Sequence, residues 1–283
     1  MWVVGTRVKA PREVVRAALR SPRCFADFPQ SEVDILERSS EAWHYARGEI
    51  IAERGDPASG LWIIASGSVT GHRSSPNGKY FLQGVLWPGD MFGLMPVMDG
   101  LPMPLSHAAR RDCLVIFIPR AALLETLRDA GRLYGVCTYL CARSRIDYEG
   151  IFIRSAESLT CRLAKFLAYL PRRAVFLSSG EPGSPTWVDP APIDLTQDEL
   201  AAMLGVARQT LNRTLALFFR QGIVVRDGEQ IHVASFRKLL PYMEENEPLI
   251  DVWRAEVLSW DEWLKKGEPG IVIPSSPGIE ARL

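Results

Sequence analysis

The spacing of apolar positions changes character along the chain. From about residue 43 to 118 they form short runs broken by Gly, Pro, Asn and Asp, the pattern of short strands joined by turns. Strands are predicted near 49–53, 61–65, 67–72 and 79–86, with turns at RGDPASG, SPNG and WPGD. Regular short strands with glycine corners fit a small barrel or roll. After Pro119 the period becomes helical, predicting helices over about 120–130, 132–155 and 157–170. Residues 1–30 read as helical and then irregular, broken at Pro22 and Pro29. SSGEPGSPTWVDPAP, 178–192, reads as a loop, and the region after about 240 as an acidic piece with Trp253, Trp260 and Trp263 before a Pro/Gly-rich, poorly ordered end.

Within 132–155, Leu133, Val136, Leu140, Ile146 and Ile153 stand near heptad spacing, interrupted by Arg143, Asp147 and Gly150. That face fits a simple buried helix or a two-fold helix pair, and the pair is expected. Cys137 and Cys141, one helical turn apart, are expected to be packing residues.

The stretch LTQDELAAMLGVARQTLNRTL, 195–215, carries two helical patterns around Gly205. Thr196 and Glu199 have the spacing of a capping box, and Leu200, Met203 and Leu204 form an apolar stripe. Gly205 suits a left-handed helix end. The second pattern buries Leu211, Leu215 and Phe218 or Phe219 and turns Arg208, Gln209, Asn212 and Arg213 outward. Arginine suits guanine or phosphate, and glutamine or asparagine pairs with adenine. GIVVRDGEQIHVAS comes next, a hairpin signal centred on Asp227-Gly228. A helix-turn-helix with a hairpin behind it is a winged helix, and a DNA reader. The candidate DNA contacts are Thr196, Arg208, Gln209, Thr210, Asn212 and Arg213.

The 283 residues allow about two domains, and 47% hydrophobic with 23% charged residues is ordinary for a globular chain. The formal net charge of 0 offers no global basic excess, so phosphate contacts fall to the local arginines. No apolar run approaches the ~20 residues that span a bilayer, and a cytoplasmic protein is expected. Five scattered cysteines without a CxxC pair argue against a zinc site or a cysteine-ligated cluster. Four isolated histidines show no catalytic or metal spacing, so neither an enzyme nor a bound cofactor is expected.

A β-roll, a long helix and a winged helix, in that order, resemble the Crp/Fnr family of bacterial transcription regulators over about residues 30–240. GEIIAERGDPASGLWIIASGSV and LTQDELAAMLGVARQTLNRTLALFFRQGIV carry the resemblance. It implies an α+β fold: an N-terminal extension (1–30), a cyclic-nucleotide-binding-like sensor β-roll of jelly-roll type (31–130), a dimerisation helix (131–156), a winged helix-turn-helix (157–240) and a C-terminal extension (241–283). It also implies a homodimer on an inverted-repeat, double-stranded DNA operator, RNA polymerase as a further partner, and a small effector in the roll. ARQTLNR departs from the family's Ser-Arg-Glu-Thr-Val-x-Arg: Gln209 replaces glutamate and Ala207 the capping serine.

The effector region departs further. Phe92 and Gly93 remain of the family's Phe-Gly-Glu-Leu, but Leu94 stands for the ribose-binding glutamate, and Met103 and Pro104 for the phosphate-gripping Arg-Ser. Asp147 and Tyr148 align where members contact the purine, and are expected either to serve a different, less charged ligand or, the preferred reading, to hold the dimer together. These seven are the candidate pocket residues, in a region that Met91, Met95, Met98 and Met103 make soft and apolar. The expected regulator does not use cyclic AMP. The alternatives are a displaced phosphate site at Arg110 or Arg111, a haem or redox sensor using His44, His107 or a cysteine, and a cupin enzyme.

Overall fold

The structure, a computed structural model, describes residues 5–168 and 191–243 except 27, 76, 78, 79, 229 and 235–237. The 178–192 loop, the start of the strand near 79, the end of the helix at 157–170 and the Trp253–Trp263 tail lie wholly or mostly outside the described residues.

The sensor half is one bent antiparallel sheet of seven strands, in the order β1-β2-β7-β4-β5, with β3 on β7 and β6 on β4. The strands are β1 (Thr6–Val8), β2 (Glu41–Tyr45), β3 (Ile50–Ala52), β4 (Gly60–Ser74), β5 (Tyr80–Leu86), β6 (Met91–Phe92) and β7 (Ser106–Pro119). The long pair β4 and β7 forms the spine, and its register shifts between Ile64 and Val69. Gly67 sits in this irregular stretch at φ 81°, where an added Cβ would lie 2.2 Å from the Asp112 carbonyl oxygen. Only glycine fits both the backbone and the contact.

One apolar layer lies outside the sheet. Helices α1 (Arg12–Arg20), α2 (Gln30–Ser39), the short α3 (Leu94–Asp99) and α4 (Arg120–Thr126) bury Leu19, Val33, Leu36, Leu94 and Leu123 in one cluster with Leu61, Ile63 and Ile116. The N-terminal segment therefore shares the sensor core: Leu19, Phe25 and Phe28 are buried in it, and Arg16 bridges to Asp34 and Glu37 of α2. A second apolar layer fills the inside of the roll with Trp62, Val69, Phe92, Met103 and Val115.

The long helix α5 (Ala130–Ala156) comes after the roll, started by Asp129, whose side chain accepts from the Arg132 N–H. Its packing corrects the sequence reading. Val136 is 0% exposed in the sensor core and Leu140 packs against that core, so these two apolar residues are covered by the chain's own sensor half, where α5 lies against the turn Arg23–Phe25. The stripe left in solvent contains Tyr134, Cys137, Cys141, Ser144, Tyr148 and Ile151, separated by steps of three and four residues. Cys137 and Cys141 are exposed in the protomer and are not packing residues of it. Of the four methionines, Met91 and Met103 are buried, whereas Met95 is exposed.

The C-terminal domain packs a helix over 159–168, α6, against α7 (Gln197–Leu204) and α8 (Arg208–Arg220). A three-stranded sheet of β8 (Ala191–Ile193), β10 (Gln230–Val233) and β9 (Val224–Asp227) completes it. Leu163, Leu167, Leu204, Leu211, Phe218 and Val233 are among its core. The joint after α5 holds a buried ion pair between Lys165 (1% exposed) and Glu157 (3%). Arg162 there donates to the Arg154 and Leu204 carbonyls, tying the end of α5 to the end of α7.

Candidate nucleic-acid interface

The helix-turn-helix is built from local instructions. Thr196 Oγ1 accepts from the Glu199 N–H at 3.2 Å, and Glu199 Oε2 accepts from the Thr196 N–H at 2.8 Å, so each side chain satisfies an orphan donor of α7. Gly205 ends α7 at φ 68°, in the left-handed region. Ala207 caps α8 without a side-chain hydrogen bond, so the family's capping serine is not replaced by another group.

On α8, Leu211, Leu215 and Phe218 are buried, while Arg208, Gln209, Thr210, Asn212 and Arg213 are exposed. Positions i, i+1, i+4 and i+5 share one side of a helix, so Arg208, Gln209, Asn212 and Arg213 form one outward polar face. Arg208 donates to Asp198 at 2.9 Å, with both side chains more than half exposed. A pair in that setting contributes little and releases its arginine readily to a phosphate or a base. Thr196 lies at the start of α7, away from this face in sequence but at the helix end whose N–H groups favour an anion.

Sequence reasoning missed two neighbours. Arg226, on β9 of the hairpin, stacks over Phe219 with its guanidinium carbon 5.8 Å from the ring centroid. Lys238 donates to the Gln221 and Gly222 carbonyls and so closes the C-terminal end of α8. Arg226 was visible only as one arginine in a hairpin; its place beside α8 depends on the pairing Ile231↔Arg226.

The inside of the roll, where the family's effector would sit, holds a stacked cluster of rings. Phe92 stacks on Trp62 (centroids 5.2 Å apart, interplanar angle 1°) and on His107 (4.1 Å, 11°). Met103 is buried in the same cluster, whereas Leu94 is buried in the other layer, with Leu61, Ile63 and the helices outside the sheet, and so does not line this interior. Gly93 turns the chain at φ 89°, with an added Cβ meeting Gly60 O at 2.8 Å. Pro104 is exposed, at the mouth of an open cleft of about 430 Å³ lined by Arg54, Gly55, Arg73 and Met103 as well. Asp147 and Tyr148 lie on the exposed side of α5, Tyr148 at 71% exposure, so within one protomer they do not join the other candidates.

Burial, with the nearby His72 acting in the same direction, pushes His107 down to about 3, so it is neutral at physiological pH. His44 is exposed on β2, and the two are not brought together. Burial pushes the Cys24 and Cys113 thiols up to about 12, which keeps them protonated and unreactive. Among the described residues no group of three or more His, Cys, Asp or Glu is placed to hold a metal ion within the protomer. No described helix is long and apolar enough to cross a membrane.

Arg110 and Arg111 do not face the cleft. Arg110 (11% exposed) grips Glu199 through Nε at 2.6 Å and Nη2 at 3.0 Å, and reaches Asp194 at 3.4 Å. Arg111 pairs with Asp194. Burial alone would raise the Glu199 carboxyl, but hydrogen bonds from Arg110 and from the Thr196 backbone hold it below the usual carboxylate range. One carboxylate thus caps α7 and ties it to β7 of the roll.

Comparison with known proteins matches the description "Cyclic nucleotide-binding domain" over residues 42–130 and "Crp-like helix-turn-helix domain" over 161–242, together more than half of the chain. The CRP-like cAMP-activated global transcriptional regulator of Mycobacterium tuberculosis H37Rv is 26% identical over 216 residues, 76% of this chain and 93% of that protein. The transcriptional activator protein anr of Pseudomonas aeruginosa is 24% identical over 188 residues, 66% of this chain and 74% of that protein. The structure of FixK2 from Bradyrhizobium japonicum superposes with a TM-score of 0.63 at 20% identity, covering 74% of this chain and 99% of that one.

Proposed function

Because this chain belongs to the Crp/Fnr family of DNA-binding transcription regulators, we propose that it binds an inverted-repeat operator as a homodimer and reads each half-site with α8. The observation that carries this is the exposed face of Arg208, Gln209, Asn212 and Arg213, set beside the wing. Two such faces one duplex turn apart require two copies, related by a two-fold axis. RNA polymerase is the expected further partner of a DNA-bound dimer. The Arg110–Glu199 tie is the physical link through which a change in the roll would move α7 and, with it, α8.

The sensor does not use cyclic AMP in this proposal. A cyclic phosphate in an apolar interior is strongly unfavourable without a charge partner. Phe92, His107 and Met103 occupy that interior, and a neutral His107 supplies no cation. One observation favours a second reading: Arg54 and Arg73 line the cleft beside Met103 and Pro104, which would suit an anionic effector at the surface of the roll. This displaced site replaces the one expected at Arg110 and Arg111, whose charges are engaged by Asp194 and Glu199.

Titration calorimetry with cyclic AMP separates the two. No heat of binding is expected at micromolar nucleotide. A micromolar Kd that disappears on Arg54→Ala or Arg73→Ala would establish the second reading instead.

A further inference from the structure

The solvent stripe of α5 holds two cysteines, Cys137 and Cys141, both exposed and both in register with Tyr134, Ser144, Tyr148 and Ile151. Their role depends on the homodimer proposed for operator binding. In that dimer both copies of α8 must face the same duplex, so the two α5 helices run parallel about the two-fold axis. In a parallel pair each seam residue meets its own counterpart. Cys137 then faces Cys137 of the second copy, and Cys141 faces Cys141, in layers about 6 Å apart along the helix.

Two ligands at i and i+4 on one helix face are a metal-chelating spacing. Two such pairs supply four sulfurs around the axis, the number and arrangement that Zn²⁺ takes in closed tetrahedral sites, with metal–sulfur distances of about 2.3 Å. Within one chain the pair is only half a site, which is why the absence of CxxC spacing does not exclude it. The local charge also fits. Four thiolates and one divalent cation carry a net charge of about −2, and binding releases the thiol protons to solvent. Between Asp129 and Asp147, α5 has no carboxylate and carries Arg143 and Arg145, while its third arginine, Arg132, pairs with Glu32 of α2.

We propose that Cys137 and Cys141 of two copies form a tetrathiolate site on the dimer axis for a thiophilic divalent cation of the zinc class. The metal would clamp the α5 pair and thereby stabilise the dimer by mass action.

The test titrates the full-length, phosphine-reduced, metal-stripped protein with Co²⁺ and then Zn²⁺, with light scattering at each stage. The expected result is one Co²⁺ per two chains, with the sulfur-to-metal charge-transfer bands of a tetrahedral tetrathiolate, displaced by Zn²⁺. Cys137→Ser and Cys141→Ser should each abolish that spectrum while leaving thermal unfolding of the metal-free protein unchanged. A dimer that takes up no Co²⁺, or one whose double serine variant takes it up equally well, overturns the site and leaves the dimer standing. A dimer that merely forms an interchain disulfide on exposure to peroxide, without metal uptake, overturns it equally. A chain that remains monomeric at tens of micromolar, with and without metal, overturns the homodimer itself and the site with it.

Discussion

Arg213→Ala should weaken binding to the operator by about 1–3 kcal/mol per half-site and relax base preference at one position in each. Arg213 is exposed on α8, so its loss removes no packing and should move protein stability by no more than about 0.5 kcal/mol. Fluorescence anisotropy on operator and random duplex, at two salt concentrations, separates the roles. Loss confined to the operator marks base readout. Equal loss on both duplexes, with the salt slope reduced by about one, marks a phosphate contact only. The companion substitution Gln209→Glu should shift preference from adenine toward cytosine at its position, because a carboxylate accepts from the cytosine amino group and cannot donate to adenine. Unchanged preference would remove Gln209 from the readout face.

Lys165→Ala should cost about 3–5 kcal/mol of stability. Lys165 and Glu157 are almost wholly buried and paired with each other, and removing the cation leaves a buried carboxylate that still accepts from the Cys161 thiol but has lost the countercharge of Lys165. Replacing both, with Lys165→Met and Glu157→Gln, removes the buried charges together and should recover most of the loss. Urea unfolding of the single and paired variants gives the coupling directly. A single-variant cost below about 1 kcal/mol would show that water reaches the pair and that the joint is not dry. The pair lies between α5 and the DNA-binding domain, so its loss should also loosen how α8 is presented.

The parts legible in the sequence are those whose causes are local. Thr196, Glu199 and Gly205 lie within ten residues of one another and specify a helix start and stop by hydrogen-bond geometry and backbone conformation alone. The hairpin around Gly228 (φ 56°) is fixed in the same way. The sensor's β texture was legible, but the runs at 61–65 and 67–72 are one strand, β4, and β2 and β7 were not picked out as strands; nor was the way α1 closes the core beside α2, because that contact is set by tertiary packing.

The long helix shows the limit most clearly. It is apolar or small on more than one side, and periodicity does not say which side its own chain will cover. Val136 and Leu140 went to the sensor core beside the N-terminal segment, and the stripe through Tyr134 and Tyr148 stayed in solvent. The candidate pocket residues were found by alignment to a pattern, yet Arg54 and Arg73, about 30 to 50 residues upstream of Met103 and Pro104, line the same cleft; only the folded sheet brings them there. Likewise, Arg110 meets Glu199 across 89 residues of sequence, and nothing in the composition of either segment announces that tie.

The most direct measurement selects bound duplexes from a random-sequence library with the full-length protein and reads the enriched sites. The expected result is a two-fold inverted repeat with half-site centres about 10–10.5 base pairs apart or a multiple of that, whose enrichment collapses with Arg208→Ala and Arg213→Ala together. Binding that enriches no sequence, or a single asymmetric site that survives both substitutions, would contradict operator reading by a pair of α8 helices.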